Sequence, residues 1–262
     1  MKGWSGWILT AGLVAATLTG CKPDAAIRQG AVVGGGRKQP NGSFDPSTVG
    51  AISGTVRLDG KAPERIKIDM SLDPACGPGG GDNYSEQYVV HDGKLANVYL
   101  YIKTGPPATM TAVAPYAPPV VMDQKGCRYT PHVIALMRGG SVEFRNSDMT
   151  MHTIHTIPAT PNGRQLDIAE GPRGAPQVVT FKDPEIMMPV RCDPHPWMNA
   201  FINVADTPFY AVTDADGHFE IKGRPAGRYE LAAVHEKLGE QTMSVTVKPQ
   251  QTQTADFKYT IR

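Results

Sequence analysis

The 262-residue chain predicts an all-β protein closed as β-sandwiches, and three observations carry that prediction. It holds 28 glycines and 23 prolines, a density of turn residues that breaks helices and punctuates short strands. Short segments alternate apolar and polar residues with the period of two that a half-buried sheet requires. Turn signals separate them, among them Asp59-Gly60, Asp92-Gly93, Gly139-Gly140 and Asn162-Gly163. The length allows one large domain or two small ones. With a formal net charge of +1 and dispersed charges, no basic stripe follows a nucleic-acid backbone, so nucleic acid is not an expected partner.

The first element in order is Lys2 followed by an apolar stretch over residues 7–19, too short and too rich in Gly and Thr to span a bilayer. Residues 1–20 read as an export signal. The end of that signal, Leu18-Thr19-Gly20-Cys21, resembles the bacterial lipobox, which implies cleavage ahead of Cys21 and a lipid on that residue. Lys22 stands where an Asp retains enteric lipoproteins at the inner membrane, so the resemblance implies outer-membrane attachment. Residues 21–48 include Gly34-Gly35-Gly36 and lack apolar periodicity; they read as a flexible tether with an end-to-end distance of about 30 Å. An exported chain meets an oxidising compartment. With Cys21 assigned to lipid, Cys76, Cys127 and Cys192 remain, and three cannot all pair. The simplest solution is a Cys76–Cys127 disulfide with Cys192 free; the alternative places Cys192 in the disulfide.

Strand segments follow at residues 52–58, 95–103, 142–146, 177–182, 187–191 and 200–205. Residues 104–119, with Gly105-Pro106-Pro107 and Pro118-Pro119, read as a linker or sheet crossing. After Asp206 come Val212-Thr213-Asp214-Ala215-Asp216-Gly217-His218-Phe219-Glu220-Ile221, Pro225-Ala226-Gly227-Arg228-Tyr229-Glu230-Leu231 and Val245-Thr246-Val247. This pattern resembles the carboxypeptidase regulatory-like family of small Ig-like sandwiches, and Ile52-Ser53-Gly54-Thr55-Val56 is similar to that family's first strand. The resemblance implies such a domain over 206–262. Residues 49–115 are an N-terminal β region that either forms its first half, with the middle of the chain inserted, or precedes it in tandem.

The chemistry concentrates in Cys192-Asp193-Pro194-His195-Pro196-Trp197-Met198, a Cys-x-x-His-x-x-Met run behind the apolar segment 187–190. With 7 His and 11 Met among 262 residues, that spacing after a given Cys arises by chance about 0.1% of the time. A thiolate and two imidazoles make a trigonal set suited to copper, and a thioether adds a weak axial contact. The second imidazole must come from elsewhere, and Val142-Glu143-Phe144-Arg145-Asn146 followed by His152 offers it. The Phe-x-Asn strand, the His six residues after the Asn and the Cys-x-Pro-His-Pro-aromatic-Met loop together resemble the cupredoxin family of type 1 blue copper proteins, amicyanin and plastocyanin-like members above all. The resemblance covers about residues 116–205. It implies a Greek-key β-sandwich, one copper per chain held by His152, Cys192, His195 and Met198, and outer-sphere electron transfer with a redox protein partner in the cell envelope. His195, between Pro194 and Pro196, is then the solvent-side electron port. Thr153 stands where the family has an Asn that ties the two ligand loops, and its hydroxyl can supply a similar bond.

Other candidates carry less. His155 rivals His152, but the spacing from Asn146 favours His152. His132 reads as a structural hydrogen-bonding residue, and Met149 and Met151 as core or collar rather than a second Cu(I) site. Asp214-x-Asp216-Gly217 reads as a hairpin turn because no distal Glu completes a calcium loop. His235 and Glu236 read as surface residues facing opposite sides of a strand end. No Ser-His-Asp set, phosphate loop or paired-carboxylate cleft stands out, so enzyme activity is not expected. Two further readings remain open: a periplasmic copper-binding carrier or copper-resistance protein, and a cell-surface scaffold or adhesion protein working through the Ig-like part.

Overall fold

The structure, a computed structural model, describes residues 44–77, 83–113 and 117–261. The export signal, Cys21 and the tether up to residue 43 lie outside the described residues. In chain order the first strands are β1 (Val49–Asp59), β2 (Val90–His91), β3 (Lys94–Leu95) and β4 (Tyr99–Thr104). A one-turn helix, α1 (Pro107–Met110), falls in the segment read as a linker. The middle block holds β5 (Val120–Gln124), β6 (Tyr129–Thr130), β7 (Val133–Met137), β8 (Ser141–Asn146), β9 (His152–Thr156), β10 (Asp167–Glu170), β11 (Gln177–Thr180), β12 (Glu185–Arg191) and β13 (Asn199–Ala205). The last block holds β14 (Tyr210–Val212), β15 (His218–Pro225), β16 (Gly227–His235), β17 (Gly239–Val247), β18 (Thr252–Thr254) and β19 (Phe257–Thr260). The molecule is all-β.

The middle block closes on itself. One sheet has the order β10-β9-β12-β13-β7 and the other β11-β8-β5-β6, with β13 parallel to β7 and β5 parallel to β8. Parallel neighbours joined by long connections are what a Greek-key path produces, and this is a cupredoxin-like sandwich. Alternation supplies its core: Val142, Phe144, Ile154, Val190, Ala200, Ile202 and Val204 turn inward and are at most 1% exposed.

The outer blocks pair with each other. β1 is antiparallel to β15 and β3 and parallel to β18 and β19, while β4 lies between β14 and β16, with β17 at the edge. Both sheets feed a second core containing Ile52, Val56, Leu100, Phe219, Leu231 and Tyr259. Gly54 is required here, because a Cβ would stand 2.0 Å from the Ala255 carbonyl oxygen. Between β1 and β2 the chain leaves this Ig-like sandwich. Of the described residues that follow, Met70 packs against the core of the cupredoxin-like sandwich and Asn83 Nδ2 donates to Gly126 O at 2.7 Å.

Candidate metal centre

Local sequence explains how each donor is presented. Asn146 ends β8, and its Nδ2 donates to the carbonyls of Thr150, Glu170 and Gly171 at 2.9, 3.1 and 2.9 Å, while its Oδ1 accepts from Asp148 N–H at 3.0 Å. This side chain folds the turn that delivers His152 at the start of β9, which is why the His follows the Asn at a fixed distance. Cys192 ends the neighbouring β12. Met198 N–H donates to His195 O at 2.8 Å and Cys192 N–H to Met198 O at 3.3 Å, closing the short loop into β13.

The donors converge. His152 Nδ1 and His195 Nδ1 are 2.9 Å apart, and Cys192 Sγ lies 3.4 Å from His195 Nδ1 and 3.7 Å from His152 Nδ1. The three residues are 0%, 3% and 2% exposed, and Met198 on the same loop is 1% exposed. A buried group of two imidazole nitrogens and a thiol sulfur that converge this closely has the chemistry of a soft-metal ligand set. Cys76 is disulfide-bonded to Cys127 and Cys192 is free.

Electrostatics keep the metal-free group charged. Burial pushes the Cys192 thiol up, but hydrogen bonds from His152, Thr153 N–H and His195 outweigh it and bring it down to about 7. Burial pushes His152 down, but Asp148 and the Cys192 sulfur raise it to about 9. Thr153 provides the tie between the ligand loops: Asp193 N–H donates to Thr153 Oγ1 at 2.8 Å, and Thr153 N–H lies 3.4 Å from Cys192 Sγ. The hydroxyl does the work of the missing amide.

Two expectations need correction. His195 is not a solvent-side port: Asp73, carried in from residues 60–89, places Oδ2 2.9 Å from His195 Nε2 and covers that edge. Nor are His235 and Glu236 surface residues. His235 is 1% exposed, and Glu236 joins His132 at 2.7 Å with both side chains at most 5% exposed, because the β16–β17 turn packs against the other sandwich. His132 Nδ1 in turn lies 3.2 Å from Asn199 O, a structural role. His155 points away from His152, as residues three apart on a strand must, and pairs with Asp193 at 3.0 Å near the surface. Met149 and Met151 are 63% and 49% exposed. Asp214 forms a hairpin turn, its Oδ1 accepting from Asp216 and His218 N–H at 2.9 Å.

Sequence reading missed three acidic residues. Asp73 is held down to about 2 by hydrogen bonds from Thr150, Ala75 N–H and His195. Asp148 Oδ2 lies 2.9 Å from His152 Nε2. Glu170, opposite His152 in the β9–β10 ladder, has its carboxyl raised by burial. An Asp three residues ahead of a cysteine destined for a disulfide was the available signal for Asp73.

Residues 194–260 match the carboxypeptidase regulatory-like domain, a span that opens inside the Cys192–Met198 loop, ahead of the last block of Ig-like strands that begins at Tyr210. No curated protein matches the chain significantly. Among solved structures, a copper-containing nitrite reductase from Thermus scotoductus SA-01 is similar at 25% identity and a TM-score of 0.31, over 36% of this chain and 24% of that one. The chain thus spans about a quarter of that relative. A Cu(I) form of an amicyanin variant is similar at 20% identity and a TM-score of 0.31, over 40% of this chain and 98% of that one. A purple cupredoxin from Nitrosopumilus maritimus gives 18% and 0.27, over 33% and 99%. By its own strand order and side chains, the chain combines a cupredoxin-like region carrying a buried His–Cys–His group with a stretch that matches the carboxypeptidase regulatory-like domain.

Proposed function

We propose that this protein is a mononuclear type 1 copper protein that transfers electrons in the cell envelope, held there by a lipid on Cys21 and the tether that follows, with outer-membrane attachment. The observation that carries the reading is the convergence of His152 Nδ1, His195 Nδ1 and Cys192 Sγ within 3.7 Å on fully buried side chains. The donor set fits copper: the thiolate of Cys192 and the imidazoles of His152 and His195 would hold it in both of its oxidation states, and Met198 on the same loop would add a weak thioether contact. What copper supplies when bound is a one-electron couple.

The chain's own residues do the rest. Asp73 and Asp148 accept from the far nitrogens of the imidazoles and leave both Nδ1 atoms free for the metal. Thr153 N–H and the loop-closing bonds fix the sulfur, so the donors keep one arrangement through a redox cycle and little reorganisation opposes electron exchange. The partner is a redox protein of the envelope. The carrier alternative needs an ion that leaves, and donors at 0–3% exposure argue against exchange.

The test is the visible spectrum and reversible potential of the protein after loading with one equivalent of Cu(II). An intense thiolate-to-copper band with fast self-exchange supports the reading. One bound Cu(II) with only weak absorption sinks it in favour of the carrier. Mass spectrometry of the mature N-terminus tests the lipid on Cys21, and an unmodified start at another residue removes it.

A further inference from the structure

Both imidazoles that face Cys192 are tied at the far nitrogen to a carboxylate; Asp73 lies in the segment of Cys76, Asp148 accepts from the backbone at Cys127, and one disulfide joins those two segments. Asp73 Oδ2 is 2.9 Å from His195 Nε2 and accepts from Thr150 Oγ1 at 2.7 Å, while its Oδ1 accepts from Ala75 N–H at 2.8 Å. Three residues on, Cys76 bonds to Cys127. Cys127 N–H and Gly126 N–H donate to the two oxygens of Asp148 at 2.8 and 2.7 Å, and Asp148 Oδ2 is 2.9 Å from His152 Nε2.

The sulfurs stand beside the imidazoles they serve. Asp73, Cys76 and His195 have donor atoms within 4.8 Å of one another, and so do Cys127, Asp148 and His152. Gly126 and Cys127 are successive left-handed residues with φ of 64° and 52°, which aims two consecutive N–H groups at one carboxylate. A non-glycine residue keeps that conformation where its surroundings fix it, and here the disulfide and Asp148 both do. The turn that carries Asp73 belongs to the excursion between β1 and β2, so one of the two carboxylates is supplied from outside the cupredoxin-like strands.

Resting on the copper reading above, we propose that the Cys76–Cys127 disulfide is the positioning device of the metal centre: through Asp73 and Asp148 it holds both imidazoles with Nδ1 turned to Cys192, and it closes the His195 side of the site. A carboxylate accepting the Nε2 proton fixes tautomer and ring rotation and makes Nδ1 the stronger donor. A stronger donor favours Cu(II). The disulfide thus acts on both imidazoles at once, although neither of its cysteines would hold the metal.

The experiment compares wild type with Asp73→Asn, Asp148→Asn, Asp73→Glu and the pair Cys76→Ala/Cys127→Ala, each with and without copper. Each Asn variant should raise the reduction potential by the equivalent of about tenfold in the ratio of Cu(II) to Cu(I) affinity, about 59 mV for a one-electron couple. Asp73→Glu should restore most of its share. The disulfide-free pair should rise as far as both Asn changes combined. In its metal-free form, iodoacetamide should alkylate Cys192 at least about tenfold faster than in wild type, as the His195 side opens. Asp73→Asn keeps the disulfide, so a wild-type potential in that variant overturns the proposal even if the disulfide-free pair fails to fold. A folded pair with wild-type potential and wild-type alkylation rate overturns it as well. If wild type takes up no copper, the copper reading fails, while the alkylation rate of the metal-free protein still decides whether the disulfide closes the site.

Discussion

The two sandwiches are built on the same alternation and bury comparable apolar sets, yet they differ in the polar groups they keep inside. In the Ig-like core, tyrosine hydroxyls donate to backbone carbonyls, Tyr259 to Ala233 O at 2.7 Å and Tyr229 to Pro225 O at 2.6 Å. Its buried Arg224 lies over the Tyr229 ring at 5.9 Å, and burial pulls that guanidinium down to about 10. These groups close turns and hold strands. The cupredoxin-like core instead gathers His152, Cys192, His195 and Met198 at one end, with Asn146 and Asp148 behind them. One sandwich uses buried polarity to finish its fold; the other uses it to preorganise donors.

The contrast can be broken or sharpened by experiment, from the largest effect down. Cys192→Ser should abolish the charge-transfer band outright, whereas Leu231→Ala in the Ig-like core should destabilise the protein by about 3 kcal/mol and leave the band in place. Absorption spectra and urea unfolding of both variants read this directly, and a colour change in Leu231→Ala would erase the distinction. Asn146→Ala should do both kinds of damage, because three bonds from its Nδ2 are lost at roughly 1 kcal/mol each and the His152 turn loosens with them. Met198→Leu should keep the copper and raise the potential, since a weak axial thioether is removed and nothing equatorial changes.

Smaller effects follow from protonation in the metal-free protein. His152 is raised from 6.5 to about 9, so its contribution to stability is complete below 6.5 and is lost as pH rises through about 9. Cys192 is lowered from 9.0 to about 7, so its contribution is complete above 9.0 and is lost as pH falls through about 7. An imidazolium–thiolate pair therefore spans roughly pH 7 to 9, and ultraviolet thiolate absorbance should appear over that range in wild type and vanish in Cys192→Ser. Asp73 is depressed from 3.8 to about 2, so the stability it adds holds above 3.8 and is lost as pH falls through about 2. Asp73→Asn should remove that dependence, as acid-unfolding curves would show. The smallest effect belongs to His155→Ala: an unchanged spectrum and a stability change within about 0.5 kcal/mol, as befits a half-exposed ion pair.

What the sequence makes legible is local. Cys192, His195 and Met198 lie within seven residues and His152 follows Asn146 by six, and the resemblance of those two short motifs to the cupredoxin pattern is what picks out the group. The free Cys192 follows from counting. The covering of His195 does not, because Asp73 reaches it from 122 residues away, on an excursion between two strands of the Ig-like sandwich. His235 and Glu236 fail for the same reason: alternation says which way a side chain points from its sheet, not what packs on that face. Their burial is decided by His132 and the docking of two sheets.

The strand β1 sits next to β15, β18 and β19, whose residues come roughly 160 to 200 positions later in the chain. On a growing chain these partners arrive last, after every strand of the cupredoxin-like sandwich has already appeared. Non-local pairings of this kind are slow to form, and domains complete themselves as their residues become available. The order of assembly this predicts is inside-out, with the donor-bearing sandwich complete before the Ig-like sheet closes over its two loose ends. Shortening the chain by its last strand should strip Val56–Asp59 of β1 of their parallel partner while β15 and β18 still hold its first half, giving a protein with a folded centre and a short open edge that favours aggregation.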